Sequence, residues 1–123
     1  MQSSFQVTDD ILVVSISGEL DHHHAAKLRE DIDEALSAFH CKYLVMDLEK
    51  VTFMDSSGIG VVLGRYNKLL QKGGRLMLTG CSEYVEKILF MAGVFTVIEK
   101  EDTAEAAVWR FRGQQQMQLE VSE

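Results

Sequence analysis

The chain of 123 residues contains no proline at all. Its turns must therefore rest on glycine, aspartate, asparagine and serine. It has two cysteines, Cys41 and Cys81, far apart and without a CxxC partner. That excludes a disulfide framework and a thiolate metal knuckle, and it suits reduced thiols in a cytoplasmic protein. No window approaches the roughly 18 apolar residues of a membrane span, so no membrane contact is expected. The opening "MQSSFQVTDD" shows no basic region and no apolar run, so no signal peptide is visible. Positive charge is also scarce, with 12 bases against 19 acids and a net charge of −7. A partner bound through a nucleic-acid phosphate backbone is not expected from that balance, whereas a basic protein surface is compatible with it.

Hydrophobic residues make up 46% and charged residues 25%, ordinary values for one globular domain. A chain this long buries roughly two thirds of its unfolded surface and needs no metal or disulfide to fold. "SSFQVTDDILVVSISGEL" reads as two strands around the polar "TDD", an antiparallel hairpin. In "DHHHAAKLREDIDEALSAF", Leu28, Ile32, Leu36 and Phe39 recur at helical spacing, and Asp21 offers an N-cap. "KYLVMDL" is a short buried strand. Ile59, Val62, Leu63, Tyr66, Leu69 and Leu70 then form a helical stripe that ends at "KGG".

"RLMLT" is a further strand. Ser82 caps a short helix that buries Val85, Ile88 and Leu89 and stops at Gly93. "FTVIEK" is the last strand. "DTAEAAVWRFRG" is the last helix, with Asp102 and Glu105 placed like a capping box and Gly113 at its end. The order β-β-α-β-α-β-α-β-α predicts an α/β fold. It is a single, mostly parallel sheet of four to five strands with an antiparallel N-terminal edge strand. Four helices lie mainly on one face. Residues 1–123 read as one domain with its core at about 5–112, and residues 114–123 as a tail that frays.

Three features invite a chemical reading. "HHH" at 22–24 resembles a metal site, but consecutive helical residues point about 100° apart and cannot share one ion. No metal and no cofactor is expected. Asp47, after "YLVM", invites comparison with a phosphoaspartate receiver domain, with Glu19, Asp21 and Lys100 in the supporting roles. It follows the second strand of the parallel set, however, not the third. That receiver-like or small nucleotide-handling protein is the alternative reading.

The third is "FMDSSGIG", Phe53 to Gly60, between a strand and a helix. Ser56 or Ser57 can cap the helix, and Gly58 and Gly60 allow close backbone approach. A serine nucleophile fits poorly, since the stretch is not GxSxG and no oriented base is near. Phosphorylation fits well. A helix N-terminus tolerates a phosphate, and the modification adds about −1.5 to −2 charges beside Asp55.

"GELDHHHA", "VMDLEKVTFMDSSGIGVVLGRYNKL", "GGRLMLTG" and "LFMAGVF" closely resemble the anti-sigma factor antagonists, the bacterial STAS-domain proteins. The likeness spans about residues 5–112. It is greatest to the sporulation branch, which acts on the anti-sigma factor of the forespore. The resemblance implies a STAS fold and a regulator of transcription that is not an enzyme. Its partners would be a nucleotide-bound anti-sigma factor that doubles as a serine kinase, and a serine phosphatase. It implies Ser56 as the phosphorylated residue. Asp21, Asp55, Ser56, Ser57, Gly58 and Ile59 would then form the partner-binding surface.

Overall fold

The computed structural model describes the backbone of residues 1–121 and the side chains of residues 1–113. β1 (Gln2–Thr8) and β2 (Ile11–Leu20) form the expected hairpin, with Thr8 opposite Ile11. The turn is Asp9–Asp10. Asp9 takes φ 57°, a left-handed conformation that aspartate tolerates because its short side chain can bond locally. The chain continues through α1 (Ala25–Ala38), β3 (Tyr43–Met54), α2 (Ser56–Gln71), β4 (Arg75–Thr79), α3 (Glu83–Met91), β5 (Glu99–Glu101) and α4 (Ala104–Val121). The five strands lie in chain order, β1-β2-β3-β4-β5. β1 is antiparallel to β2 and every other pair is parallel.

Each parallel step moves to the next strand in the same direction, so α1, α2 and α3 fall on one face of the sheet. Strand alternation divides the core accordingly. Leu12, Val14, Ile16, Leu44, Met46, Leu48, Leu76 and Leu78 meet those three helices. Ile11, Val13, Tyr43, Val45 and Met77 point the other way and meet Ala107 and Phe111 of α4. The rings of Tyr43 and Phe111 lie 4.9 Å apart. Three helices on one face and one on the other fit the expectation of helices mainly on one face.

Several local expectations shift. β3 runs on to Met54, where the sequence suggested a loop after Leu48. Register shifts between Ser15 and Ser17 and between Gly18 and Glu19 break the two-residue period. Glu49–Phe53 therefore looks polar and irregular although Val51 and Met54 are buried. α1 starts at Ala25 rather than near Asp21, because residues 22–24 form a turn closed by hydrogen bonds from the His24 and Ala25 N–H groups to the Asp21 carbonyl. Phe39 and Leu70 fall off their stripes and are exposed. Gly73 has φ 75°, as the helix stop after α2 requires.

Ser82 caps α3, its hydroxyl accepting the Val85 N–H at 3.2 Å. The last strand begins only at Glu99. Gly93, at φ 77°, and a Thr96 hydroxyl bonded to the Gly93 carbonyl at 2.6 Å close a 3-10 turn over Val94–Thr96 instead. α4 is capped by Thr103, one residue after the expected Asp102, with its hydroxyl accepting the Ala106 N–H at 3.1 Å. α4 also continues through Gly113 to Val121. One helical glycine costs only about 1 kcal/mol, and the residues that follow are mostly good helix formers. Ser122 and Glu123, the end of the expected frayed tail, lie outside the described residues.

Candidate functional site

The sheet brings the ends of β2 and β3 side by side, with Leu20 opposite Met54. The segments after them, the loop Asp21–His24 and the Asp55 that opens α2, therefore meet. Asp55 is the residue that joins them. It is the N-cap of α2, with φ −112° and ψ −170°. Its Oδ1 accepts the Ser57 N–H at 2.9 Å and the Gly58 N–H at 3.4 Å. Its Oδ2 accepts the His22 N–H at 3.2 Å, and its own N–H donates to the Leu20 carbonyl at 3.4 Å. The cap is thus the acid and not Ser56 or Ser57, because an extended Asp55 reaches the second and third N–H groups of the helix first.

That assignment frees Ser56. It is the first helical residue and is exposed, and among the described residues none hydrogen-bonds its hydroxyl. Ser57 is half-buried. Gly58 is buried against the end of β2: a Cβ there would stand 2.9 Å from the Leu20 carbonyl oxygen and 2.7 Å from Met54 Cγ. Gly58 therefore serves the close approach expected of it. Gly60 does not, since nothing lies within 4 Å of its Cβ position. Ile59 is half-buried against the main core. Ser56, Gly60 and Gly64 fall four residues apart on one row of α2, and the two glycines leave that row open.

Asp21 stands beside this point. Its Oδ1 accepts the His23 N–H at 3.0 Å and lies 2.9 Å from His24 Nδ1. Burial alone would raise the Asp21 carboxyl, but the hydrogen bonds from His24 and His23, with the charge of both rings, outweigh it and hold it below its usual value. Asp21 thus stiffens the turn and does not cap α1, whose N-cap His24 makes no side-chain capping bond.

Sequence reading missed two contributors. His22 acts through its backbone, which no residue-type pattern reveals. Arg65 sits inside the apolar face of α2 at 7% exposure, its Nε 2.9 Å from Asp33 Oδ1, with Lys68 Nζ 3.4 Å from Oδ2. Burial lowers the Arg65 pKa, while the Asp33 carboxylate opposes that fall. The pair locks α2 against α1. Its only signal in sequence was an arginine four residues after Val61, on the buried side.

The receiver-like set is not assembled. Asp47 lies within β3, half-buried on the α4 side of the sheet, with Oδ1 accepting the Glu49 N–H at 3.1 Å. Lys100 pairs with Leu78, so it points to the opposite face, where it meets Glu86 of α3. Among the described residues no three His, Cys, Asp or Glu side chains gather where they could hold a metal. Both cysteines are free, and burial pushes the Cys81 thiol up to about 11. Among the described residues no helix is long and apolar enough to cross a membrane.

Comparison with known proteins bears on the family and the fold. The STAS domain family matches residues 2–107. An anti-sigma F factor antagonist of Paenibacillus polymyxa is 42% identical over 88 residues, 72% of this chain and 75% of that protein. The structure of the anti-sigma factor antagonist SpoIIAA in its unphosphorylated form superposes with a TM-score of 0.76 at 33% identity, covering 91% of this chain and 99% of that one. The phosphorylated form of SpoIIAA, a Bacillus cell fate determinant, gives a TM-score of 0.72 at 32% identity, covering 89% and 99%.

Proposed function

The chain belongs to the STAS domain family, and on that premise we propose that it is an anti-sigma factor antagonist switched by phosphorylation of Ser56. It works by binding and not by catalysis, in the cytoplasm. Unphosphorylated, it docks on a nucleotide-bound anti-sigma factor and releases the sigma factor. The anti-sigma factor, acting as a serine kinase, transfers the γ-phosphoryl of ATP to Ser56 Oγ; the hydroxyl proton is released and ADP is left. A serine phosphatase reverses the step by hydrolysis. Two relatives named anti-sigma F factor antagonist support its assignment to the sporulation branch.

The observation that carries this reading is the division of labour between neighbours. Asp55 caps α2, so the exposed Ser56 hydroxyl has no structural duty and can be modified without unfolding the helix. Asp55 and Ser57 flank it in the chain, Asp21 and Ile59 are assigned with them to the docking surface, and the open Gly60 leaves room for a partner beside the helix; Gly58 contributes by setting the height of α2 against β2. A phosphate of charge −2 about 5 Å from one partner carboxylate in water costs only about 1–2 kcal/mol. A decisive switch needs about 5 kcal/mol. Ser56 therefore belongs inside the docking surface, where bulk and desolvation add to charge.

Two measurements test it. With the cognate kinase and ATP, phosphopeptide mapping should find phosphate on Ser56 and none on Ser56→Ala. Titration calorimetry should show Ser56→Asp binding the anti-sigma factor more weakly by about 2–4 kcal/mol, the scale of an unpaired charge in an interface. Phosphate on Ser57, or wild-type affinity for Ser56→Asp, would overturn the assignment.

A further inference from the structure

The two edges of the sheet are built differently. β5 is three residues long, Glu-Lys-Glu. Its acids are held by Arg75 and Arg110, and Lys100 by Glu86. Short, charged edges of this kind repel a foreign strand. β1 is seven residues long and carries no charge, although a quarter of the chain is charged. It also has no proline, and it pairs with β2 without a bulge along its whole length. None of the usual protections of an edge is present.

The direction of its free backbone groups follows from the hairpin. A two-residue turn makes Thr8 and Ile11 a hydrogen-bonded pair, and such pairs alternate along an antiparallel ladder. Gln2, Ser4, Gln6 and Thr8 thus bond to β2, whereas Ser3, Phe5 and Val7 aim their N–H and C=O groups outward. Phe5 and Val7 lie opposite Val14 and Leu12, on the α1 side of the sheet. Phe5, Ala35, Ala38 and Phe39 line a shallow cleft of about 270 Å³ there, with Asp31 and Glu34 at its rim. Phe5, Val7 and Phe39 are 37%, 39% and 58% exposed.

We propose that a second copy of this chain docks on this edge, strand against strand and antiparallel, to make one continuous ten-stranded sheet. The outward groups are self-complementary. A two-fold axis through Phe5 sets it against the same residue of the other copy and sets Ser3 against Val7, for about six hydrogen bonds. The axis is perpendicular to the sheet, so both α1 helices lie on the same face, and Phe5, Val7 and Phe39 of the two copies fill the gap between them. The absence of charge on β1 keeps like charges out of the strand-to-strand seam between two molecules of net charge −7, with the acids Asp31 and Glu34 set back at the rim. At the rim, Asp31 is already paired with Lys27 at 2.9 Å. One strand and three side chains offer less than the roughly 800 Å² per partner of a stable interface, so the dimer is weak and concentration-dependent. Ser56, beyond the end of β3, remains open in it.

Sedimentation velocity on the full chain, from about 10 μM to about 1 mM, should show a monomer passing into a dimer. Over the same range, amide exchange by NMR should slow at Ser3, Phe5 and Val7 and stay unchanged at Ser4 and Gln6. Phe5→Lys should weaken dimerisation at least about tenfold by charging the edge. Phe90→Lys, at an aromatic residue 72% exposed on α3, should dimerise like the wild type. The exchange pattern needs no variant, so a Phe5→Lys protein that fails to fold leaves the test standing. A monomer at the highest concentration overturns the proposal, as does a dimer in which the three amides exchange freely.

Discussion

Replacing Asp55 with alanine removes an acceptor from three backbone donors at once: Ser57, Gly58 and His22. The first two constitute the cap of α2, whose loss costs about 0.5–2 kcal/mol. The third joins the loop after β2 to the start of α2. It is exposed, so water replaces it, at a cost of about 0.5–1 kcal/mol. Asp55→Ala should therefore destabilise the fold by about 1–3 kcal/mol in total. Asp55→Asn separates the two parts. Asparagine caps about as well as aspartate, but its amide nitrogen then faces the His22 N–H, donor against donor. It should lose only about 0.5–1 kcal/mol, the loop link without the cap. Urea unfolding gives both numbers, with an unchanged m-value showing that only stability moved. Amide exchange assigns them: the His22 amide should speed up in both variants, the Ser57 amide only in the alanine variant. Asp55→Ala within 0.5 kcal/mol of wild type, or asparagine as damaging as alanine, would refute the capping and bridging role (both thresholds being about the error of such measurements).

Gly58 and Gly60 should respond oppositely to alanine in the same urea assay. At Gly58 the new Cβ meets the Leu20 carbonyl oxygen at 2.9 Å and Leu20 Cγ at 3.0 Å. Moving backbone costs about 1–3 kcal/mol, which with the gain in helix propensity of about 1 kcal/mol leaves Gly58→Ala destabilised by up to about 2 kcal/mol. At Gly60 nothing is in the way, so Gly60→Ala should stabilise by about 0.5–1 kcal/mol. Asp21 makes a pH prediction. Its folded carboxyl titrates below the unfolded value of about 3.9, so between the two the unfolded chain binds more protons. Its contribution is present above about pH 4 and is lost as pH falls through the folded value. Asp21→Asn should therefore show a shallower loss of stability below pH 4 than wild type, and parallel curves would remove Asp21 from the acid transition.

The sequence alone was enough to determine the order of elements, a hairpin turning at "TDD", a helix stop within "KGG" and the cap at Ser82. These are short-range matters, decided by periodicity and by residues whose backbone preferences differ sharply. It also placed the helices mainly on one face, because a parallel strand order in chain sequence leaves the crossovers one choice of hand. It marked the stretch around Ser56 for the same local reason, a polar turn wedged between an apolar strand and an apolar helix. The tertiary structure decided which of those residues does which work. Whether Asp55, Ser56 or Ser57 caps α2 depends on where β3 ends. That end was hidden because two register shifts against β2 erase the alternation of Glu49–Phe53. The union of Asp21, His22 and Asp55 spans more than thirty residues of chain and uses backbone donors, which carry no side-chain signature. Arg65 could enter an apolar stripe only because α1 brings Asp33 to meet it. A buried charge is tolerable only when the fold supplies its partner, and a partner on another element is invisible to any local window.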